Sequence, residues 1–334
     1  MHRTSFLLTT AILLTAVHGQ DGLVGRGWKI ELIAEQGTKP EVRVDSQGRP
    51  HIAYMIEAFQ GHLFHTMKDG GTWATDTIRN GYFYAPLYMV LDDEDRVHIA
   101  YHDHSTTAGD VVYTTGSGVD WTREFVGSLG HDGWDGRIAL GPADELHVVS
   151  IDPDLGGTGA GIEWATQRDG QWVVEEIGSG KIPYEFGVAI AVGVDGRLHV
   201  VYHDGDEFLN TSGDGADLLY ATLNGGEWQI ETVDSRGDVG KFPSLALDSA
   251  GRPHLTYLEW TAEHSAIVKY AFHDGSSCNS RSSTSYTISR SPSSEPAGQP
   301  PLPSTVATTP TPPTRTARCC DSAAEQTTAG PTKT

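Results

Sequence analysis

Val192 to Asp204 reads VGVDGRLHVVYHD: the end of an apolar strand, a Gly-containing turn, then a run with the alternation of a β-strand. The phrase occurs five times. RPHIAY (49–54), RVHIAY (96–101), ELHVVS (145–150) and RPHLTY (252–257) match RLHVVY (197–202). Ahead of these stand VRVDSQG, MVLDDED, IALGPAD, IAVGVDG and LALDSAG, each an apolar strand running into a turn. Behind them come LFHT, VVYT, IEWA, LLYA and VKYA, each a strand with a central aromatic or His. Further out, a Gly turn (KDGGTW, RDGQW, NGGEW) leads into a tryptophan that opens another short strand. These strands are WATDTI, WTREFV, WVVEEI and WQIETV, with WKIELI alone at the N-terminal end.

Tryptophans 28, 73, 121, 172 and 228 are spaced by 45, 48, 51 and 56 residues. Four short strands per roughly 40–50 residues is the signature of a propeller blade. No amphipathic helical period appears beyond the first residues. We name the strands a (VRVD), b (HIAY), c (LFHT) and d (W…I). Four complete blades run from about Pro40 to Val233. A fifth has strand a at Ser244–Asp248, b at His254–Leu258 and c at Ile267–Phe272, but no strand d. In blades two to four the strand-c aromatic and the next Trp are eight apart, whereas Tyr270 plus eight is Cys278. Trp28–Ile33 is a spare strand d. The fold expected is all-β: a five-bladed β-propeller over 28–277, closed by that N-terminal strand; the alternative is an altered reading frame, with further blades lost where the repeat stops at Cys278.

The ends differ in character. Arg3, the apolar run Phe6–Val17 and the sequence Val17-His18-Gly19 predict a signal peptide over 1–19, cleaved after Gly19. The run is too short to span a bilayer, and no other segment is apolar enough. The protein is therefore expected to be secreted, or periplasmic in a host with an outer membrane. Residues 278–334 are rich in Ser, Thr and Pro and predict a disordered tail. All three cysteines lie there, so no disulfide braces the propeller. The whole chain carries a net charge of −21. The tail holds five Arg or Lys against three acids and the signal holds one Arg, which leaves −24 on residues 20–277. That charge argues against nucleic-acid partners.

The phrase GRPHIAY followed by DG-x-W resembles the secreted bacterial propellers grouped with sialidase-like, BNR-type repeats, and the resemblance spans 28–277. MKDGGTW (67–73) approximates the Asp-box of sialidases, with Asp69 one residue nearer Trp73 than that box has it. The chain shows no set of three arginines matching theirs, so the resemblance implies the fold and not sialidase chemistry. Five-bladed glycosidases offer a second analogy, at fold level alone.

Comparison among blades separates architecture from candidate function. His51, His98, His147, His199 and His254 share one position, and their reading is structural: hydrogen bonds within or between blades. The five Trp and Tyr54, Tyr101, Tyr202 and Tyr257 read as packing. Because strands alternate in direction, the b–c and d–a loops share one end of the ring, here the upper end. The a–b and c–d turns share the other, and those lower turns are short and repetitive. The upper loops are longer and vary from blade to blade, as site-bearing loops do.

Candidate ligand-binding residues on the upper loops are Tyr82, Tyr84, His104, Trp134, Tyr184, Phe186, His203, Asp204, Phe242 and Glu259. Flat rings stack on the apolar faces of sugars, and acids and imidazoles bond sugar hydroxyls. The expected partner is an extracellular glycan or polysaccharide, bound by a monomer. Alternatively, the acids end strands by capping turns and the aromatics fill the channel mouth. Candidate catalytic residues are His102, Asp103, Asp135 and Asp152, for a glycoside hydrolase or a polysaccharide lyase. The residue types lean towards binding over catalysis, and a protein-interaction scaffold is a third possibility. No cofactor is expected. Asp204 and Asp206, with Asp214 and Asp217 nearby, are calcium candidates that lack EF-hand spacing. Asn210-Thr211-Ser212 is a glycosylation sequon in a eukaryotic host.

Overall fold

The computed structural model describes residues 28–83, 86–105, 109–127, 134–152, 160–180, 187–205, 216–260, 266–274 and 284–286, with 59, 134, 160, 179, 180 and 284–286 described in backbone only. The chain divides into two units, Met1–Gln36 and Gly37–Thr334. In the first, the described residues form no strand, and Trp28, Ile30 and Leu32 are exposed. The signal peptide read from the sequence lies outside the described residues.

The second unit is all-β: the five antiparallel sheets of a five-bladed propeller. Blade one is β1 (Thr38–Val44), β2 (Pro50–Ile56), β3 (Ala58–Asp69) and β4 (Thr72–Phe83). Blade two is β5 (Leu87–Leu91), β6 (Val97–Asp103), β7 (Asp110–Ser117) and a fourth strand broken into β8 (Asp120–Trp121) and β9 (Glu124–Phe125). Blade three is β10 (Trp134–Leu140), β11 (Leu146–Asp152), β12 (Ala160–Arg168) and β13 (Gln171–Gly180). Blade four is β14 (Val188–Val192), β15 (Leu198–Asp204), β16 (Asp217–Asn224) and β17 (Glu227–Asp234). Blade five is β18 (Asp238–Leu247), β19 (Pro253–Trp260), β20 (Ala266–Phe272) and β21 (Thr284–Tyr286).

The fourth strand of blade five corrects the expected closure. Thr284–Tyr286 pairs with β20, with Val268 opposite Tyr286 and Tyr270 opposite Thr284. A sheet edge accepts one strand, and a Thr-Ser-Tyr segment with high β-propensity takes this one. The expectation of a wholly disordered tail is corrected at these three residues, and the rest of the tail lies outside the described residues.

Each of blades one to four packs one face on the opposite face of the next, as the period of two dictates. Ala53, Met55 and Leu63 of blade one meet Leu87, Met89, Ile99 and Tyr101 of blade two. Ala100, Val111 and Tyr113 of blade two meet Ile138, Leu146 and Val148 of blade three. Val149, Ile151 and Trp164 meet Val188, Val200 and Tyr202 of blade four. Val201 and Leu218 meet Leu255 and Tyr257 of blade five. The strand-d Trp residues join in: Trp172 lies edge-on to Tyr113 of the preceding blade, and Trp228 to Trp164.

The five histidines are structural. In blade two, Asp92 accepts hydrogen bonds from the Glu94 and Arg96 amides (3.0 and 2.8 Å), from Arg96 Nε (2.5 Å) and from His98 Nε2 (3.0 Å). His98 Nδ1 then meets the Tyr113 hydroxyl at 2.6 Å. Burial raises the Asp92 pKa, but His98 and Arg96 outweigh it and hold it at about 2. Blade five repeats the chain through Asp248, Arg252, His254 and Tyr270, and blade one ends it on His65 instead of a tyrosine. Blades three and four carry Gly141 and Gly193 at the Asp position. There His147 accepts from Trp164 Nε1 (3.2 Å) and His199 meets the Tyr220 hydroxyl (2.5 Å).

Candidate functional site at the channel mouth

The lower turns lock together: Ser46 donates from its amide and hydroxyl to Asp95 of the next blade, and the Asp93 amide donates to Asp144 of the one after. This puts the b–c and d–a loops of these blades at the opposite, upper end, where the innermost strand of each blade begins.

The entry to that strand is repeated and distorted. Lys39, Asp135, Gly187 and Phe242 occupy one position in blades one, three, four and five, and all four have positive φ (51°, 52°, 81° and 51°). The register of β1, β10 and β18 slips at or beside these residues, as at a β-bulge. Positive φ is free to glycine but costs other residues about 1–2 kcal/mol. Strain of this kind is concentrated where function requires it. Gly187 has a further reason to be Gly: a Cβ there would lie 2.9 Å from Asp135 Oδ2 and 3.8 Å from Pro243 Cδ.

Three blades therefore meet at Asp135, and Pro243 of a fourth lies against Gly187 beside it. Tyr88 of blade two donates its hydroxyl to Asp135 Oδ1 at 2.7 Å. The Val188 amide of blade four donates to Oδ2 at 3.2 Å, and Arg137 Nη2 stands 3.5 Å from the same oxygen. The Arg137 guanidinium stacks 4.1 Å over the Tyr88 ring. Burial pushes the Tyr88 hydroxyl well above its ordinary pKa, and the Asp135 charge adds to this. The facing positions on the inner strands are Glu41, Tyr88, Arg137, Ala189 and Ser244, since each pairs two residues beyond a structural histidine. Side chains are large and polar in blades one to three and small in blades four and five. Phe242, two residues before Ser244, is 51% exposed, and Lys39 pairs with Glu57.

Asp103 belongs to a different cluster. It is fully buried and accepts from Arg79 Nε (2.8 Å), Arg123 Nη2 (2.9 Å) and the Ser105 amide (2.9 Å). Burial raises its pKa, but Ser105 and the two guanidiniums outweigh that and lower it overall. Arg79 lies on β4 and Arg123 between β8 and β9, both on outer strands. Asp103 ends the second strand of blade two and Asp135 opens the first strand of blade three, each with its own cations. Asp103 acts as a latch between blades one and two, and Asp234 with Tyr257 (2.9 Å) and Lys269 (2.8 Å) does the same between blades four and five.

The remaining sequence candidates fall as follows. His102 is fully buried, its pKa lowered to about 4 by burial and by His104, whose ring lies 5.6 Å away. Tyr82 lies edge-on to His104 at 5.1 Å. Asp152 is buried at the end of β11, opposite Gly161. His203 Nδ1 meets the Val239 carbonyl at 2.8 Å, and burial followed by Lys241 lowers its pKa to about 4. Glu259 pairs with Lys269 at 2.7 Å. Asp204 is the cross-strand partner of Asp217, whose pKa is raised by burial and then by Asp204 and Asp234. Among the described residues no group of three or more His, Cys, Asp or Glu is arranged to hold a metal ion. Tyr84, Tyr184, Phe186, Asp206 and the Trp134 side chain lie outside the described residues.

Sequence reasoning passed over Tyr88, Arg137, Lys39, Arg79 and Arg123. A signal for two of them existed. The strand-a phrases EVRVD, YMVLD, RIALG, AIAVG and SLALD share an apolar pattern from their second residue on and differ most at the first, where Tyr88 and Arg137 stand.

No family model matches the chain, and no curated protein matches it. Among solved structures, a polysaccharide lyase, an ulvan lyase, is similar with a TM-score of 0.51 at 11% identity, over 72% of this chain and 69% of that one. An α-L-arabinanase of Penicillium chrysogenum complexed with arabinobiose gives 0.47 at 13% identity, over 73% and 79%. An endo-arabinase of Bacteroides thetaiotaomicron gives 0.40 at 13% identity, over 76% and 94%. No described helix is long and apolar enough to cross a membrane. The propeller fold of this chain is one that carbohydrate-active enzymes share.

Proposed function

We propose that this chain is a secreted carbohydrate-binding propeller whose ligand sits at the upper mouth of the channel, around Asp135. The observation that carries the reading is the meeting of Tyr88, Asp135, Arg137 and the Gly187–Val188 entry, from three blades, with Pro243 of a fourth against Gly187 and the exposed Phe242 next to Pro243 in the chain. A rigid cluster of acceptors and donors next to a flat apolar ring suits a saccharide, whose hydroxyls need hydrogen bonds and whose ring faces stack. Strained left-handed residues at three of the strand entries support a functional mouth over a merely filled one. The likeness to an ulvan lyase supports the fold on which the reading stands. Binding is favoured over hydrolysis because each acid is already committed to its own partners, Asp103 to two guanidiniums and Asp135 to Tyr88, Arg137 and the Val188 amide.

The test is a glycan array followed by titration with the best saccharide. Phe242→Ala and Trp134→Ala should each weaken binding by about tenfold, the cost of one lost stacking contact. Absence of binding to every glycan and polysaccharide tried would overturn the proposal.

A further inference from the structure

The seam between blade five and blade one differs from the other four junctions. Val42 and Val44 of β1 are 56% and 64% exposed, whereas Met89 at the place of Val42 in blade two is fully buried. On the opposing side Val268 and Trp260 are each 41% exposed. The residue two beyond the structural histidine shows the same contrast: Ala53, Ala100, Val149 and Val201 are fully buried, while Thr256 is exposed. Among the described residues, four apolar clusters join consecutive blades and none joins the fifth blade to the first. The exposed residues named on these faces, Val42 and Val44 on one and Trp260 and Val268 on the other, are apolar, in a chain with a net charge of −21.

We propose that the occupant of these faces is a second copy of this chain, docked head to tail, with blade five of one copy on blade one of the next. Complementarity does not have to be assumed. The exposed face of blade five is the face that blades one to four use to cover their successors. The exposed face of blade one is the face that blades two to five present to be covered. The two surfaces are therefore repeats of an interface that the chain forms four times within itself. Among the described residues of one chain no apolar cluster joins the two faces. A contact between two different patches is heterologous, so it can add copies at either end.

Sedimentation velocity on the full chain tests this. The wild type should associate further as its concentration rises from about 1 to 100 μM, the range of weak, non-obligate interfaces. Val44→Asp and Val268→Asp should each be monomeric alone. Mixed, they should form a dimer that grows no further, because each retains one intact face. Circular dichroism checks that both variants are folded, and the mixture itself confirms that each keeps a working surface. A wild type that stays monomeric throughout, as it would if the ring closed on itself in solution, overturns the proposal. So does a variant that still associates on its own, or a mixture of two that stays monomeric.

Discussion

Asp135 and Phe242 both adopt a left-handed backbone, but their side chains have different fates. Asp135 is buried and bonded by Tyr88, the Val188 amide and Arg137, so its strain is offset locally. Phe242 is half-exposed, a costly choice for a bulky residue. Phe242→Gly should leave the melting temperature unchanged or raise it, because strain of about 1 kcal/mol is relieved. The same variant should lose saccharide affinity as Phe242→Ala does, and a large fall in melting temperature would show the ring to be packing instead. Tyr88→Phe strips a buried carboxylate of its shortest hydrogen bond and should cost about 1–3 kcal/mol in urea unfolding.

At the scale of the strand pair, the Asp-Arg-His-Tyr chain ties each lower turn that carries it to strands b and c. Asp92 Oδ1 caps two amides of its turn while Oδ2 holds Arg96 and His98. Asp92→Ala should therefore loosen both the turn and the start of β6, at a cost of about 1–3 kcal/mol. The effect should appear as faster amide exchange at 92–98, with other blades protected as before. The broken fourth strand of blade two belongs to this scale too. Arg123, at the break between β8 and β9, stacks 4.3 Å over Phe125 and reaches Asp103. The interruption thus places a cation on the latch between blades one and two.

Across the whole molecule, acid stability is set by buried histidines. Burial holds His65, His102, His147 and His203 at about 4, with a neighbouring His adding at His65 and His102 and Lys241 at His203. An unfolded histidine titrates near 6.5, so between pH 6.5 and 4 the unfolded chain binds protons that the folded chain refuses. Stability is full above pH 6.5 and falls as pH drops through that window. Each tenfold difference in proton affinity between the two states is worth about 1.4 kcal/mol, so even two of the four would remove several kcal/mol, a large share of a domain's 5–15 kcal/mol. Urea midpoints between pH 7.5 and 4.5 check this, and a flat profile would refute it. The lowered carboxyls of Asp45, Asp92 and Asp248 add a second loss, below the ordinary carboxylate range. The seam makes a separate prediction. Met89→Ala, inside a junction, should cost about 2–5 kcal/mol, whereas Val44→Thr at low concentration should stay within about 0.5 kcal/mol.

The repeat by itself determined the five blades, their strand order, the structural role of the histidines and the end of the ring on which the variable loops lie. Local period, turn residues and repetition suffice for those, because each blade is a short-range object. Only the tertiary structure decided the rest. Trp28–Ile33 has the phrase of a strand d, yet the edge of β20 takes Thr284–Tyr286, since a pairing is won by whichever segment reaches the edge and not by resemblance to a motif. Asp135 was visible as an acid among several. Its partners Tyr88 and Val188 lie 47 and 53 residues away and converge on it through a bulge that no local pattern announces. Asp103 and Asp135 look interchangeable in the sequence, and the packing of the blades gives them different partners: Arg79 and Arg123 from outer strands for Asp103, and Tyr88 and Arg137 from inner strands for Asp135.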